Sequence, residues 1–296
     1  MSLKLSVVIV TYNRCNDLKE CIDSIFGMKE LPHEVIIVNS FSNDGTDKLV
    51  RGYPVKYIRI PERSMVRARN VGLRRATGDI VAYIDDDVVV SRNWSIHILE
   101  SYKSENIGGV GGRVIPYNIN RESRLFANKY EIGKVLDNGI VFGNFDILTS
   151  TPMDVDTLIG CNMSFRRKLL MRIGGFDEKF KGNCFREDTD ICIRLKRLGY
   201  RLIYNPKALV WHKFRGKNLN SSWYYWTVYN QTYFFFKNFR PITMRKLFAF
   251  LYALFPYSHY DYVKKSGVTF KLNPLTITYA LLGLISGIYA LKGDPI

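Results

Sequence analysis

The chain has 296 residues, 47% of them hydrophobic, with a formal net charge of +16. That is ample for a sizeable core, and five scattered cysteines without a CxxC pair suggest neither a zinc site nor a disulfide framework and point to reduced thiols in a cytoplasmic setting. The charge is uneven: residues 191–296 hold 16 Lys+Arg against two acids, and residues 1–190 hold 27 against 25, so the basic C-terminal third points to a polyanionic partner, nucleic acid or an anionic membrane.

The apolar run Leu5–Val10 is too short for a secretory h-region and lacks a small-residue cleavage site. It reads as the heart of a first strand, Lys4–Thr11. Asp17–Met28 carries Leu18, Cys21, Ile22 and Ile25 at helical spacing, and Glu34–Val38 is a second strand. "SNDGT" (42–46) is a turn and helix start with Asp44 or Thr46 as N-cap. Val55–Ile60 is a third strand, Met65–Ala76 a helix, and Asp79–Ile84 a fourth strand. Such alternation predicts an α/β fold whose mostly parallel sheet is flanked by helices, with ligands bound beyond the carboxyl ends of the strands. Asn13, Asn39 and Asp85 stand at those ends.

Residues 116–152 are weakly patterned and read as an excursion over the site. The segment 160–180 starts as strand or loop and becomes a helix stopped by Gly174-Gly175. Glu187–Leu198 is a further helix, and Arg201–Tyr204 and Ala208–Trp211 are short strands. From residue 220 the composition turns aromatic and basic, and Pro274–Leu291 is an uncharged stretch at the lower limit for a bilayer span. Interleaved aromatic, basic and apolar residues fit a membrane interface better than nucleic acid. The predicted division is a catalytic domain over 1–218, with halves at about 1–115 and 116–218, and a helical membrane-associated region over 219–296. Lys264, Lys265 and Lys271 would set the N-terminal side of the span in the cytoplasm, and Gly283 and Gly287 form a GxxxG suited to pairing two such helices in a homodimer.

Asp85-Asp86-Asp87 put three like charges at the end of an apolar strand. Carboxylates so close repel, so they form a cap network, a calcium-like site or the anchor of a catalytic divalent ion beside phosphates. Alone, His212 reads as a satisfied strand-end histidine, and Glu187 and Asp190 as acids favoured in a helix's first turn.

"VVIVTYNR" (7–14), "VIIVNSFSNDGT" (35–46), "RARNVGLRRATGDIVAYIDDD" (67–87), "GCNMSFRR" (160–167), "GGFDEKF" (174–180), "FREDTDICIRLKRLGYRL" (185–202) and "VWH" (210–212) follow one another in order. Together, over about residues 3–215, they resemble the family 2 glycosyltransferases with a GT-A nucleotide-sugar fold. The resemblance implies an inverting enzyme that moves one sugar from a nucleotide-sugar to an acceptor hydroxyl. By the same resemblance Asp85 and Asp87 match the acidic metal-binding positions for Mn²⁺ or Mg²⁺, His212 a further ligand, and Asp188 the catalytic base. Thr11, Tyr12, Arg14, Asn39, Arg69, Asp85 and Asp86 fall at nucleotide-binding positions, Tyr12 as a stacking platform for the base. Gly160, Asn162 and Glu187 fall in the acceptor and donor-sugar region.

Two departures from the family pattern stand out. Asn39 replaces the usual Asp that reads the base edge, which leaves uridine, guanosine and thymidine donors open. "RLKRL" (194–198) has the arginine spacing of a processive motif but ends in Leu and lies close to Asp188, which implies one sugar per encounter. The implied acceptor is a polyprenyl- or dolichyl-linked glycan at the cytoplasmic face of the cell membrane, the enzyme being peripheral or held by one C-terminal helix. A polyprenyl-phosphate sugar synthase is the alternative enzyme, and a non-catalytic nucleotide-sugar-binding membrane module the alternative of another class.

Overall fold

The computed structural model describes residues 3–117, 132–213, 221–252, 254 and 274–291. Four strands build the parallel half of a nine-stranded sheet: β1 (Leu5–Thr11), β2 (Glu34–Ser40), β3 (Lys56–Ile60) and β4 (Ile80–Asp85), in the spatial order β3-β2-β1-β4. Helices α1 (Cys15–Phe26), α2 (Thr46–Val50) and α3 (Met65–Arg75) make the crossovers. The β-branched runs are buried because helices cover them; Val7, Val8, Ile9, Ile36 and Ile37 are at most 1% exposed. Register sets Thr11 opposite Asn39 and Val10 opposite Asp85, so the three strand ends share one edge of the sheet.

The second half continues through β5 (Val88–Val90), α4 (Trp94–Glu100), β6 (Ile107–Pro116), β9 (Met153–Val155), β10 (Asn162–Arg166), α5 (Arg167–Arg172), α6 (Glu187–Arg197) and β11 (Arg201–His212). Strand β10 lies antiparallel between β4 and β6, while β11 runs parallel to β6 and antiparallel to β5 and β9. In the weakly patterned excursion, β7 (Lys134–Val135) and β8 (Val141–Phe142) pair as a small separate sheet. All five cysteines are free thiols.

Local differences from the sequence reading have local causes. The N-cap of α2 is Gly45, in a left-handed conformation, and the Asp44 carboxylate accepts from the Thr46 amide and hydroxyl. The two short strands predicted over 201–211 are one strand with a register shift between Asn205 and Val210. That irregularity carries the strand past Pro206, which has no amide hydrogen to give to a ladder.

The C-terminal membrane-associated region needs correction. Among the described residues no helix is long and apolar enough to cross a membrane. The helices there are α7 (Ser221–Asn238), α8 (Met244–Tyr252) and α9 (Pro274–Tyr289). Helix α9 has 16 residues, about 24 Å at 1.5 Å per residue against a hydrocarbon core of about 30 Å. Its GxxxG faces its own chain: a Cβ on Gly283 or Gly287 would stand 2.6 Å from the carbonyl oxygens of Tyr225 or Tyr229 on α7. Helix α7 in turn buries Tyr233, Phe234 and Phe235 completely. Lys264, Lys265 and Lys271 lie outside the described residues.

Candidate active site

Strand β4 delivers Asp85 to the open edge of the sheet, and the chain turns through Asp86 and Asp87 before β5. Strand β11 ends beside β5 with His212 in register with Val88. One potential ligand atom each from Asp85, Asp87 and His212 lies within 4.8 Å of the others. His212 Nε2 is 3.0 Å from Asp87 Oδ1. Two carboxylates and an imidazole fit Mn²⁺, which accepts both oxygen and nitrogen donors, and the carboxylates suit Mg²⁺.

The chain's own cations offset the crowded acids. Arg14 pairs with Asp87 and lies 3.5 Å from Asp86 Oδ1, and Thr11 Oγ1 donates to Asp86 Oδ2 at 2.8 Å. Burial, opposed by Arg14, pushes Asp86 up to about 7. Burial acts on Asp87 too, but the hydrogen bond with His212 and the charges of His212 and Arg14 hold it below the usual carboxylate range. Neighbours in sequence therefore titrate differently because only one of them faces the imidazole.

Across the cleft, α6 opens with Glu187 and Asp188. Asp188 is half-buried; its Oδ2 accepts from the Gly160 amide at 2.9 Å and its Oδ1 from its neighbour Thr189's amide at 2.7 Å. Gly160 has little room for a side chain, since a Cβ would stand 3.2 Å from Arg69 Nη2 and 3.4 Å from Asp188 Oδ2. Arg69, 2% exposed, joins the two walls. Its Nη2 donates to Asp85 Oδ1 and to the Gly160 carbonyl, both at 3.1 Å, and its Nη1 to Glu187. Burial pushes Glu187 up to about 8 against the pull of Arg69, and its Oε2 is buried without a hydrogen bond.

The loops after β1 and β2 form one rim. The Asn13 amide donates to Ser42 Oγ, the Asn43 amide to Asn13 Oδ1, and the Cys15 amide to Asp44, all at 2.8–2.9 Å. Tyr12 is half-buried on this rim, with the Arg63 guanidinium 4.3 Å over its ring.

The sequence profile described as glycosyl transferase family 2 matches residues 6–174, more than half of the chain. The chain belongs to glycosyl transferase family 2. A second profile, described as the N-terminal domain of galactosyltransferase, matches residues 148–213. This family 2 glycosyltransferase is 28% identical over 225 residues to a glucosyl-dolichyl phosphate glucuronosyltransferase of Haloferax volcanii, covering 71% of this chain and 69% of that protein. It is 24% identical over 217 residues to poly-beta-1,6-N-acetyl-D-glucosamine synthases of Staphylococcus aureus, covering 70% of this chain; it spans 49%, about half, of their length. Its fold is similar to that of a mannosyltransferase of Pyrobaculum calidifontis in complex with GDP-Man and Mn²⁺, with a TM-score of 0.62, 20% identity, and coverage of 100% of this chain and 89% of that one.

Within this glycosyltransferase the residues singled out in the sequence divide into groups. Asp85, Asp87 and His212 come together, as do Thr11, Arg14 and Asp86, and Glu187, Asp188 and Gly160. Arg69 is walled off from solvent and bridges these groups instead of lining an open pocket. Asn162 is fully buried: it accepts from Trp94 Nε1 and donates to the carbonyls of Arg113 and Ala208. Asn39 is likewise 0% exposed. Asp190, read as a first-turn acid, is a buried junction with Arg194, Lys237 and Asn238. Its only sequence signal was helical spacing: Ile191 and Leu195 place that side of α6 inward.

Proposed function

We propose that the chain is an inverting, metal-dependent glycosyltransferase that moves one sugar from a nucleotide-sugar onto a hydroxyl of a glycan acceptor. The observation behind this reading is the bridge Asp85–Arg69–Gly160–Asp188, which ties a carboxylate of the metal-competent cluster to a half-buried carboxylate on the facing helix. A divalent cation held by Asp85, Asp87 and His212 would supply positive charge to the donor's diphosphate as it leaves. Asp188 would take the proton of the acceptor hydroxyl while the new carbon–oxygen bond forms at the anomeric carbon and the bond to phosphate breaks. The Gly160 and Thr189 amides donate to Asp188 and fix the direction of its carboxylate, as proton transfer from a positioned hydroxyl requires. One displacement at the anomeric carbon inverts its configuration.

The acceptor we favour is a lipid-linked glycan, supported by the relative whose name specifies a glucosyl-dolichyl phosphate. Transfer of one sugar per encounter is supported by the fate of the "RLKRL" arginines. Arg194 is spent on Asp190 and the carbonyls of Ile173 and Gly175, and Arg197 on Asn238. Neither arginine is available to a growing polymer.

The test is release of free nucleotide from UDP-, GDP- and dTDP-sugars with acceptor, with Mn²⁺ and with chelator. Metal-dependent release with at least one donor is expected, and Asp188→Asn should lower turnover about 10²- to 10⁴-fold. Absence of metal-dependent release with every donor would leave only a binding module. Full turnover in the Asp188→Asn protein would instead indicate an acceptor already ionised, such as a lipid phosphate.

A further inference from the structure

Position 39 is where members of this family read the base, and here the side chain is committed elsewhere. Asn39 Oδ1 accepts from the Ser42 amide at 2.7 Å, and its Nδ2 donates to the Tyr57 hydroxyl at 2.7 Å. Tyr57 pairs in turn with Asp47, which is held by Arg59 at 2.5 Å. With both amide functions engaged and no exposed surface, Asn39 has nothing to offer a base edge. An amide also suits this network better than a carboxylate would, since Asp47 lies 3.5 Å from Nδ2 and a second negative charge there would be repelled.

The groups exposed on the rim are different. Arg63 is exposed, with its guanidinium 4.3 Å over the half-buried Tyr12 ring, a contact that keeps its fork at one face of the platform for the base. Phe41, immediately past β2, is 54% exposed in a left-handed conformation with φ of 72°. A bulky residue there is strained, and its exposed ring is a second aromatic surface, with the Arg59 guanidinium 5.8 Å over it. The rim therefore offers aromatic faces and a donor-only guanidinium, while its carboxylate, Asp44, is engaged by the Cys15 amide and by the amide and hydroxyl of Thr46.

We propose that the donor of this enzyme is a guanine nucleotide-sugar, and that Arg63, not Asn39, is the residue that determines the base. This rests on the nucleotide-sugar reading of the site. A guanidinium fork carries donors only, and guanine presents two adjacent acceptors, O6 and N7, to match it. Adenine offers an equal stacking face but replaces O6 with an amino donor. Uracil has two carbonyls, but they flank an N3–H instead of lying side by side, and that N–H calls for an acceptor from the protein.

The test is calorimetric titration of the full chain with GDP, ADP and UDP in the presence of Mn²⁺. GDP should bind about tenfold or more tighter than ADP and UDP, the range of one good bidentate contact. Arg63→Ala and Arg63→Lys should both bring GDP down to the level of ADP and leave ADP and UDP within about twofold, because Lys keeps the charge but not the fork. UDP or ADP binding as tightly as GDP would overturn the assignment. So would an Arg63→Ala protein that loses all three nucleotides by one common factor, which would make Arg63 a diphosphate contact. Failure of all three, and of dTDP, to bind with Mn²⁺ present would overturn the nucleotide-sugar reading itself.

Discussion

Arg69 Nη2 stands 3.1 Å from Asp85 Oδ1, with the arginine almost wholly buried and the aspartate side chain 35% exposed. The same guanidinium pairs with Glu187 on the opposite wall, so one side chain sets the spacing between the acidic strand end and the helix that carries Asp188. Burial works against its charge, yet Glu187 and Asp85 hold Arg69 above its usual range. Arg69→Met should leave Glu187 and Asp85 unbalanced, costing about 3–5 kcal/mol in stability. Turnover should fall much further than the folded fraction does. Denaturant unfolding and single-turnover kinetics on the same protein check both parts.

Removing a group from the Asp85, Asp87 and His212 cluster should show first in metal binding. Mn²⁺ should raise the melting temperature of the chain, since it binds the folded state alone. His212→Ala should weaken that response about tenfold or more in Mn²⁺ concentration, at least the loss seen when a residue supporting a ligand is removed. Asp87→Asn should abolish the response, because Asp87 also carries the Arg14 and His212 contacts. An unaltered Mn²⁺ titration in both variants would count against the cluster.

Helix α7 is expected to act as part of the catalytic fold. Asp190 is 0% exposed; it accepts from Lys237 Nζ and Asn238 Nδ2 at 2.9 Å on α7 and from Arg194 Nε at 2.9 Å on its own helix. Lys237→Met should cost about 3 kcal/mol, because a buried carboxylate loses one of its two cations. The double variant Asp190→Asn, Lys237→Met should cost less than the two single variants summed. Urea unfolding monitored by fluorescence measures this coupling.

Glu34 links β2 to its surroundings and gives a dependence on pH. Its Oε1 accepts from Ser6 Oγ at 2.6 Å and from the Thr77 amide and hydroxyl, and its Oε2 pairs with Lys56 at 2.5 Å. Although burial works to raise it, the Lys56, Ser6 and Thr77 contacts hold its pKa down at about 2. A depressed carboxylate pKa means the unfolded chain takes up the proton first as pH falls. The contribution is therefore complete above about 4.5 and drains away between there and about 2. After allowance for solvent screening it amounts to about 1–2 kcal/mol. Glu34→Gln should remove that much at pH 7 and flatten the acid side of the stability curve, read from urea midpoints at several pH values.

Much of the fold was legible along the chain. The β-branched runs of β1, β2 and β4, the helical spacing of α1 and the Gly174-Gly175 stop each depend on contacts within a few residues, and periodicity reports those directly. Pro274–Leu291 misled for the same reason. Hydropathy counts apolar residues without saying what they face, and Gly283 and Gly287 face α7 of the same chain.

By itself the sequence determined the alternation of the first four strands with their helices, the acids at the end of β4, the Glu-Asp pair opening α6, and the glycosyltransferase family those motifs resemble. Tertiary structure alone decided how each of these side chains is used. Arg69, Glu187 and Gly160 are up to 118 residues apart in pairing, and no local pattern records such a contact. Asn39 and Asn162 are fully buried and bonded internally, whereas Arg63 and Phe41 remain exposed at the rim. Burial and partnership across the sheet decide which polar groups remain free for a ligand, and they exist only once distant segments have packed.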